Sequence, residues 1–221
     1  MQTLQRNQLV WLTEGAWQQV LARNWDTQAQ SILRHWHAGQ LPLVVCTQRV
    51  HDTADTVSLG LPAPNPWNRR KLALEVPPHA IARKGPFPSL GQVAQRHFVG
   101  QVLLPFIASL HALQLAPTVY GSYGWQVLTG LDYLRPTSDL DICVQVPDHA
   151  TAAALVQAMD GLNLPVRLDG ELVFPDGSAI AWREYGQWMR GTVDRVLVKS
   201  RTCVQLMDAG MLAALEPGCT A

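Results

Sequence analysis

No stretch of 18 apolar residues occurs in this 221-residue chain, so a membrane-spanning helix is not expected. Met1 to Gln8 is polar and lacks the apolar centre of a secretion signal, which points to a cytoplasmic protein. Cysteine is sparse: Cys46, Cys143, Cys203 and Cys219 stand apart, with no CxxC pair and no Cys/His cluster. This spacing argues for reduced thiols and against a structural zinc site. The seven histidines show no ligand spacing either. Net charge is missing as well, because 17 Lys+Arg balance 17 Asp+Glu. Capture of nucleic acid or an acidic membrane by overall charge is therefore not expected. There is no internal repeat, no low-complexity tract and no nucleophile triad.

What is present reads as an α+β chain in two parts. In the first, Thr13 is a helix N-cap and the helix runs to about Arg23. Asp26 caps a second helix that reaches about His37 and stops at Ala38-Gly39. Leu41 to Thr47 reads as a buried strand, His51 to Asn68 as a loop, and Lys71 to Val76 as a strand ended by Pro77-Pro78. Loop composition at Gly85-Pro86-Phe87-Pro88 sets the boundary between a small N-terminal α+β domain, 1–85, and a second domain, 86–221. The second domain opens with a long helix from about Ser89 to Leu115, whose apolar residues fall at helical spacing. Strand Thr118–Tyr120, a Gly121-Ser122 turn and a strand through Asp139 and Asp141 follow. Next come a helix from His149 to Leu162 and a hairpin of Val166–Phe174 with Ser178–Trp182. A strand at Val193–Val198 and a helix at Cys203–Leu215 close the chain. Helices are expected on one face of this mixed sheet, leaving the other as an open cleft.

The chemistry concentrates between Gly121 and Asp169. Alternation puts Asp139, Asp141, Cys143 and Gln145 on one side of their strand and Leu140, Ile142, Val144 and Val146 on the other. Same-side residues two apart are roughly 6.5 Å apart along a strand, close enough for both carboxylates to share a metal. Hard oxygen donors select Mg²⁺ or Mn²⁺ over zinc. The Gly121-Ser122 turn offers N–H groups and a hydroxyl to a phosphate. On the later strand Arg167, Asp169 and Glu171 share a side, so a third carboxylate joins the face if the strands are neighbours. Asp169 is favoured over Glu171 for that place. The bland alternative is a solvated sheet edge with ordinary surface acids.

This pattern resembles the nucleotidyltransferase superfamily, whose motif is Gly-Ser, a spacer, Asp-x-Asp and a third acid on a later strand. More narrowly, the run GSYGWQVLTGLDYLRPTSDLD from Gly121 to Asp141 is similar to the malonate decarboxylase holo-acyl-carrier-protein synthase family, the phosphoribosyl-dephospho-CoA transferases. Ala181-Trp182-Arg183-Glu184, Val196 to Lys199 and Leu41 to Val45 add to the likeness, which spans essentially the whole chain. The resemblance implies a nucleotidyltransferase-like second domain with catalytic Asp139 and Asp141. These two, with Asp169, would hold Mg²⁺ or Mn²⁺. The implied donor is 2′-(5″-triphosphoribosyl)-3′-dephospho-CoA, and the acceptor a serine on the acyl carrier subunit of malonate decarboxylase, with pyrophosphate released. No nucleic acid or membrane partner is implied. Gly121 and Ser122 would contact the donor, and Lys199, Arg183 and Arg135 are candidate phosphate partners or surface ion pairs. Arg69-Arg70-Lys71, the densest basic cluster, would grip donor or acidic carrier, or simply be solvated. Trp125, Trp182 and Trp188 would stack on adenine or fill the core. Two rival readings are an ATP-using nucleotidyltransferase and a binding module without catalysis.

Overall fold

A computed structural model of the chain describes residues 4–48, 56–98 and 102–213. The fold is α+β, with two sheets. The first sheet is built from β1 (Leu9–Leu12), β2 (Leu43–Val45), β3 (Val57–Pro62), β4 (Lys71–Val76) and β5 (Ile81–Gly85). Its order is β4-β3-β2-β1-β5, every neighbouring pair antiparallel. Two helices, α1 (Glu14–Leu21) and α2 (Thr27–Ala38), sit between β1 and β2 in sequence. Each starts where a side-chain oxygen meets an orphan N–H: Thr13 accepts from Ala16 at 3.2 Å and Asp26 from Ala29 at 3.0 Å. Leu9, Leu59, Leu72 and Leu74 from the strands share one core with Trp17, Ile32, Leu33 and Trp36 from the helices.

The rest of the described chain runs through α3 (Leu90–His97), α4 (Leu104–Ala112), β6 (Thr118–Val119), α5 (Gly121–Thr129), β7 (Leu140–Gln145) and α6 (His149–Asp160). It ends with β8 (Leu168–Val173), β9 (Ala179–Ala181), α7 (Trp182–Met189), β10 (Val196–Lys199), β11 (Val204–Met207) and α8 (Ala209–Ala213). The second sheet has the order β11-β10-β9-β8-β7-β6. Its one parallel pair among the described strands, β7 with β8, is joined by crossover helix α6. Leu140, Ile142, Val144, Leu168 and Leu172 form a core with Phe106, Leu155, Val156 and Tyr185 from α4, α6 and α7. Full burial of each such side chain contributes about 1.5–3 kcal/mol, so the apolar back of β7 anchors the strand whose front carries the acids. No helix among the described residues is long and apolar enough to cross a membrane.

The expected helix from Ser89 to Leu115 is two helices. α3 ends at Phe98, which is extended (φ −118°, ψ 102°), and α4 starts afresh with a proline, Pro105, in its first turn. Part of that expected helix, residues 99–101, lies outside the described residues. Part of the expected 51–68 loop, 51–55, also does, but its remainder contains β3, paired on both sides. Gly60 and Pro62 disguise this strand; Pro62 escapes the proline penalty by standing at the strand end. Edge strand β5 was not foreseen. Val204 to Met207 is an edge strand where a helix was expected, with Val204 and Leu206 exposed. Residues 214–215 of that expected helix lie outside the described residues. Trp182 opens α7 rather than ending a strand, and Gly121-Ser122 is the first turn of α5 rather than a free turn.

The two sheets do not have wholly separate cores. Phe87, Trp125 and Tyr133 belong to the core of the first sheet although they lie beyond its last strand in sequence. Trp125, 4% exposed, meets Phe87 edge-on at 5.5 Å and stacks on Tyr133 at 6.1 Å. Trp182 is buried and Trp188 packs against the core of the second sheet, whereas Trp125, though buried, also lines a cavity with Gly121 and Ser122.

Candidate active site

The site begins where β6 turns into α5. Tyr120 is extended, and its N–H donates to the Asp141 carbonyl oxygen at 3.0 Å, continuing the β6–β7 pairing. Gly121 then adopts φ +61°. A Cβ on Gly121 would stand 1.8 Å from Oδ2 of Asp141, so the carboxylate lies directly against the start of α5. Only glycine meets both demands. The first-turn N–H groups of a helix have no intrahelical acceptor, and the helix dipole places partial positive charge there. Gly121 and Ser122 thus offer an anion site at a helix N-terminus, with Asp141 beside it. Gly121→Ala should displace that carboxylate, lowering activity by on the order of a hundredfold and stability by about 1–3 kcal/mol. Initial rates and thermal melts of the variant check both.

Parallel pairing sets the next acids. Asp141 is in register with Asp169, and Cys143 with Glu171. The close approach at Gly170 (φ +147°) lets β8 run beside Ile142, whose carbonyl oxygen would lie 2.0 Å from an added Cβ. Asp139, just before β7, comes within 3.5 Å of Arg167, and Asp169 lies 3.7 Å from the same guanidinium. Arg167 is 61% exposed, so its pull on these acids is weakened by solvent. Asp141 is pushed up to about 7, first by burial and then by the charges of Asp169, Asp139 and Glu171. Burial and the nearby acids also raise the Tyr120 hydroxyl, and burial with Glu171 lifts the Cys143 thiol to about 11. A thiol raised in this way is a weak nucleophile at physiological pH.

Glu171 has a different setting from Asp169. It is 6% exposed and pairs with Arg6, with Asn7 Nδ2 at 3.3 Å and with Lys199 Nζ at 3.1 Å. The N-terminal segment thereby covers the acidic face at this point, so the expected cleft is roofed rather than open. With two cations upon it, Glu171 is an internal ion-pair centre, which leaves Asp169 as the acid beside Asp141. Lys199, committed to Glu171, and Arg183, which donates to the Leu168 carbonyl at 2.9 Å and lies over the Trp182 ring, do not line the cavity of Gly121 and Ser122. Arg135 is exposed and does not line it either. That cavity, about 270 Å³, has Gly121, Ser122 and Asp141 on one wall. Among the described residues, no three His, Cys, Asp or Glu side chains are placed to hold a metal ion together. Sequence reasoning gave no role to Arg6 or Asn7; their contacts to Glu171 span 165 and 164 residues and leave no local signal. Arg167 was visible only as a neighbour of Asp169 by alternation.

Two family models match the chain. One, described as the phosphoribosyl-dephospho-CoA transferase MdcG C-terminal domain, covers residues 92–210; the other, the N-terminal domain of the same transferase, covers residues 5–87. A protein from Xanthomonas axonopodis pv. citri named phosphoribosyl-dephospho-CoA transferase is 38% identical over 213 residues, covering 94% of this chain and 95% of that protein. A protein of the same name from Bradyrhizobium diazoefficiens is 34% identical over 209 residues, covering 92% and 89%. One from Pseudomonas putida (strain W619) is 31% identical over 209 residues, covering 94% and 95%. No solved structure matches the chain.

Proposed function

The chain belongs to the phosphoribosyl-dephospho-CoA transferase family, and from that premise we propose that it modifies an acyl carrier protein. The donor is 2′-(5″-triphosphoribosyl)-3′-dephospho-CoA and the acceptor a serine on the acyl carrier subunit of malonate decarboxylase. The serine oxygen bonds to the α-phosphorus, the bond to the leaving pyrophosphate breaks, and the hydroxyl proton passes to solvent or a nearby base. One observation carries this reading: the Asp141 carboxylate lies against the N-terminus of α5, with Asp169 in register beside it. An anion-binding helix end and a group of acids thus share one small volume.

The donor set suits a hard divalent cation. Asp141, Asp139 and Asp169 carry oxygen donors, and the upward push on Asp141 comes first from burial and then from the other two. As placed, no three described His, Cys, Asp or Glu side chains converge on one ion, so these three would have to close in around Mg²⁺ or Mn²⁺ to hold it, displacing Arg167 as the neutralising charge. Such an ion, when bound, supplies charge stabilisation for the phosphoryl oxygens and the leaving pyrophosphate. The chain's own part is positioning. The N–H groups at Gly121 and Ser122 orient phosphate oxygens, and β7 and β8 hold the acids at fixed register. Catalysis of phosphoryl transfer by positioning and electrostatics requires no covalent enzyme intermediate.

Pyrophosphate release tests the choice of donor. With the carrier protein and magnesium present, the CoA-derived triphosphate should release pyrophosphate and ATP should not. Release from ATP at an equal rate would replace the proposal with an ordinary adenylyltransferase.

A further inference from the structure

A polyanionic donor in the cavity of Gly121 and Ser122 would face a wall that contains an acid, Asp141. Cationic side chains for its phosphates, beyond any ion the acids would hold, come from elsewhere. Arg6 and Lys199 are taken by Glu171, Arg167 lies between Asp139 and Asp169, and Arg183 is bound to a backbone carbonyl. Of the described residues lining the 270 Å³ cavity with Gly121, Ser122 and Asp141, the cationic ones are Arg69 and Lys71. Both come from the unit of the first sheet, at the turn from β3 into β4. Both are exposed, and neither forms an ion pair among the described residues.

Their neighbour Arg70 behaves differently. It reaches Asp26 Oδ1 at 2.6 Å and Gln28 Oε1 at 3.1 Å, at the N-terminus of α2. The basic triplet therefore divides: one member is spent on structure, and the two flanking it face the cavity.

The turn that carries Arg69 is tied to the catalytic unit. Asn65 donates from its backbone to the Asp132 carbonyl at 2.8 Å and from its side chain to Leu134 at 3.1 Å. The Tyr133 hydroxyl donates to the Pro62 carbonyl at 2.8 Å. Gln126, on α5 itself, accepts from the N–H groups of Tyr133 and Leu134, each at 3.0 Å. A continuous set of bonds thus fixes the turn relative to the helix whose N-terminus lines the same cavity. Asn68 and Arg69 both hold positive φ, 54° and 55°, a costly backbone for non-glycine residues.

We infer that Arg69 and Lys71 bind the phosphate chain of the donor in the cavity they line with Gly121 and Ser122, so that the N-terminal unit forms part of the active site. This rests on the proposed donor being a CoA-derived triphosphate. Arginine and lysine are suited to that task as charge-assisted hydrogen-bond donors to phosphate oxygen.

The test uses the full chain and the variants Arg69→Gly, Lys71→Gln, their combination and Lys71→Arg, with Arg34→Ala on the exposed side of α2 as a control. Glycine at 69 suits the positive φ, so that variant removes charge without straining the turn. Binding of inorganic tripolyphosphate in magnesium buffer is measured by calorimetry, and donor KM and kcat by carrier modification. Each single charge removal should weaken tripolyphosphate binding and raise donor KM roughly tenfold, the pair roughly a hundredfold, with kcat much less affected. Lys71→Arg should recover most of the loss, Arg34→Ala should match the unchanged protein, and melting temperatures should stay constant. If the double variant binds tripolyphosphate as the unchanged protein does, or if the unchanged protein does not bind it, the inference falls. Loss of binding in the double variant with no carrier ever modified would sink the proposed reaction and leave this anion site standing. Equal carrier modification by both proteins would do the reverse.

Discussion

Asp141→Asn should lower carrier modification by on the order of a thousandfold, and the variant should melt at a higher temperature than the unchanged protein in metal-free buffer at pH 8. The two effects have one origin. Burial first, and then the charges of Asp169, Asp139 and Glu171, raise the folded pKa of Asp141 to about 7 from an ordinary 3.8. A carboxyl raised in this way contributes stability that is fully present below its unfolded value and lost as pH climbs through the folded one. At pH 8 the metal-free protein therefore carries an unfavourable buried charge, and asparagine keeps the shape without it. Even about 1 kcal/mol recovered raises Tm by roughly 2–4 °C in a chain of this length. Magnesium should raise the melting temperature of the unchanged protein at pH 8 and leave that of the variant nearly unmoved. A variant with normal turnover, or one that melts lower across the whole pH range, would contradict this account of Asp141.

Asp169 and Glu171 should separate in opposite directions. Glu171→Gln removes the charge that holds Arg6 and Lys199, both partly buried, at 16% and 32% side-chain exposure. Breaking a buried pair by deleting one partner costs about 3–5 kcal/mol, because the other charge stays behind. The expected result is a melting temperature lower by roughly 10 °C. Residual activity in the Glu171→Gln protein should follow the amount of folded enzyme. Asp169→Asn should lose transfer as Asp141→Asn does and leave stability unchanged or improved, since one repelling neighbour is gone. Melts and initial rates on both proteins settle which acid belongs to the reaction. A destabilised Asp169→Asn with an active, stable Glu171→Gln would reverse the assignment.

The acidic face was legible from sequence because strand alternation is local. Leu140, Ile142 and Val144 are buried on one side, and Asp141 and Cys143 stand on the other, as the pattern required. Helix starts at Thr13 and Asp26 were legible for the same reason: a capping side chain acts within three residues. The Asp141–Asp169 register was conditional, since alternation orients a strand without naming its neighbour. What escaped was non-local. Gly121-Ser122 looked like a loop because glycine and serine are poor helix formers, yet Gly121 is required by the carboxylate of a residue twenty positions later. β3 was masked by Gly60 and Pro62, which lower strand propensity but are tolerated where cross-strand pairing dominates. Lys199 stayed open between a phosphate partner and an ion pair, because nothing in its own segment reveals Glu171 at 3.1 Å.

Mass spectrometry of the carrier protein after incubation with enzyme, the CoA-derived triphosphate and magnesium bears most directly on the central claim. The account predicts that one serine-containing peptide gains the mass of a phosphoribosyl-dephospho-CoA group. The gain should require magnesium and be absent with Asp141→Asn. A carrier left unmodified by that donor, or one that gains only an adenylyl group when ATP is supplied, would contradict it.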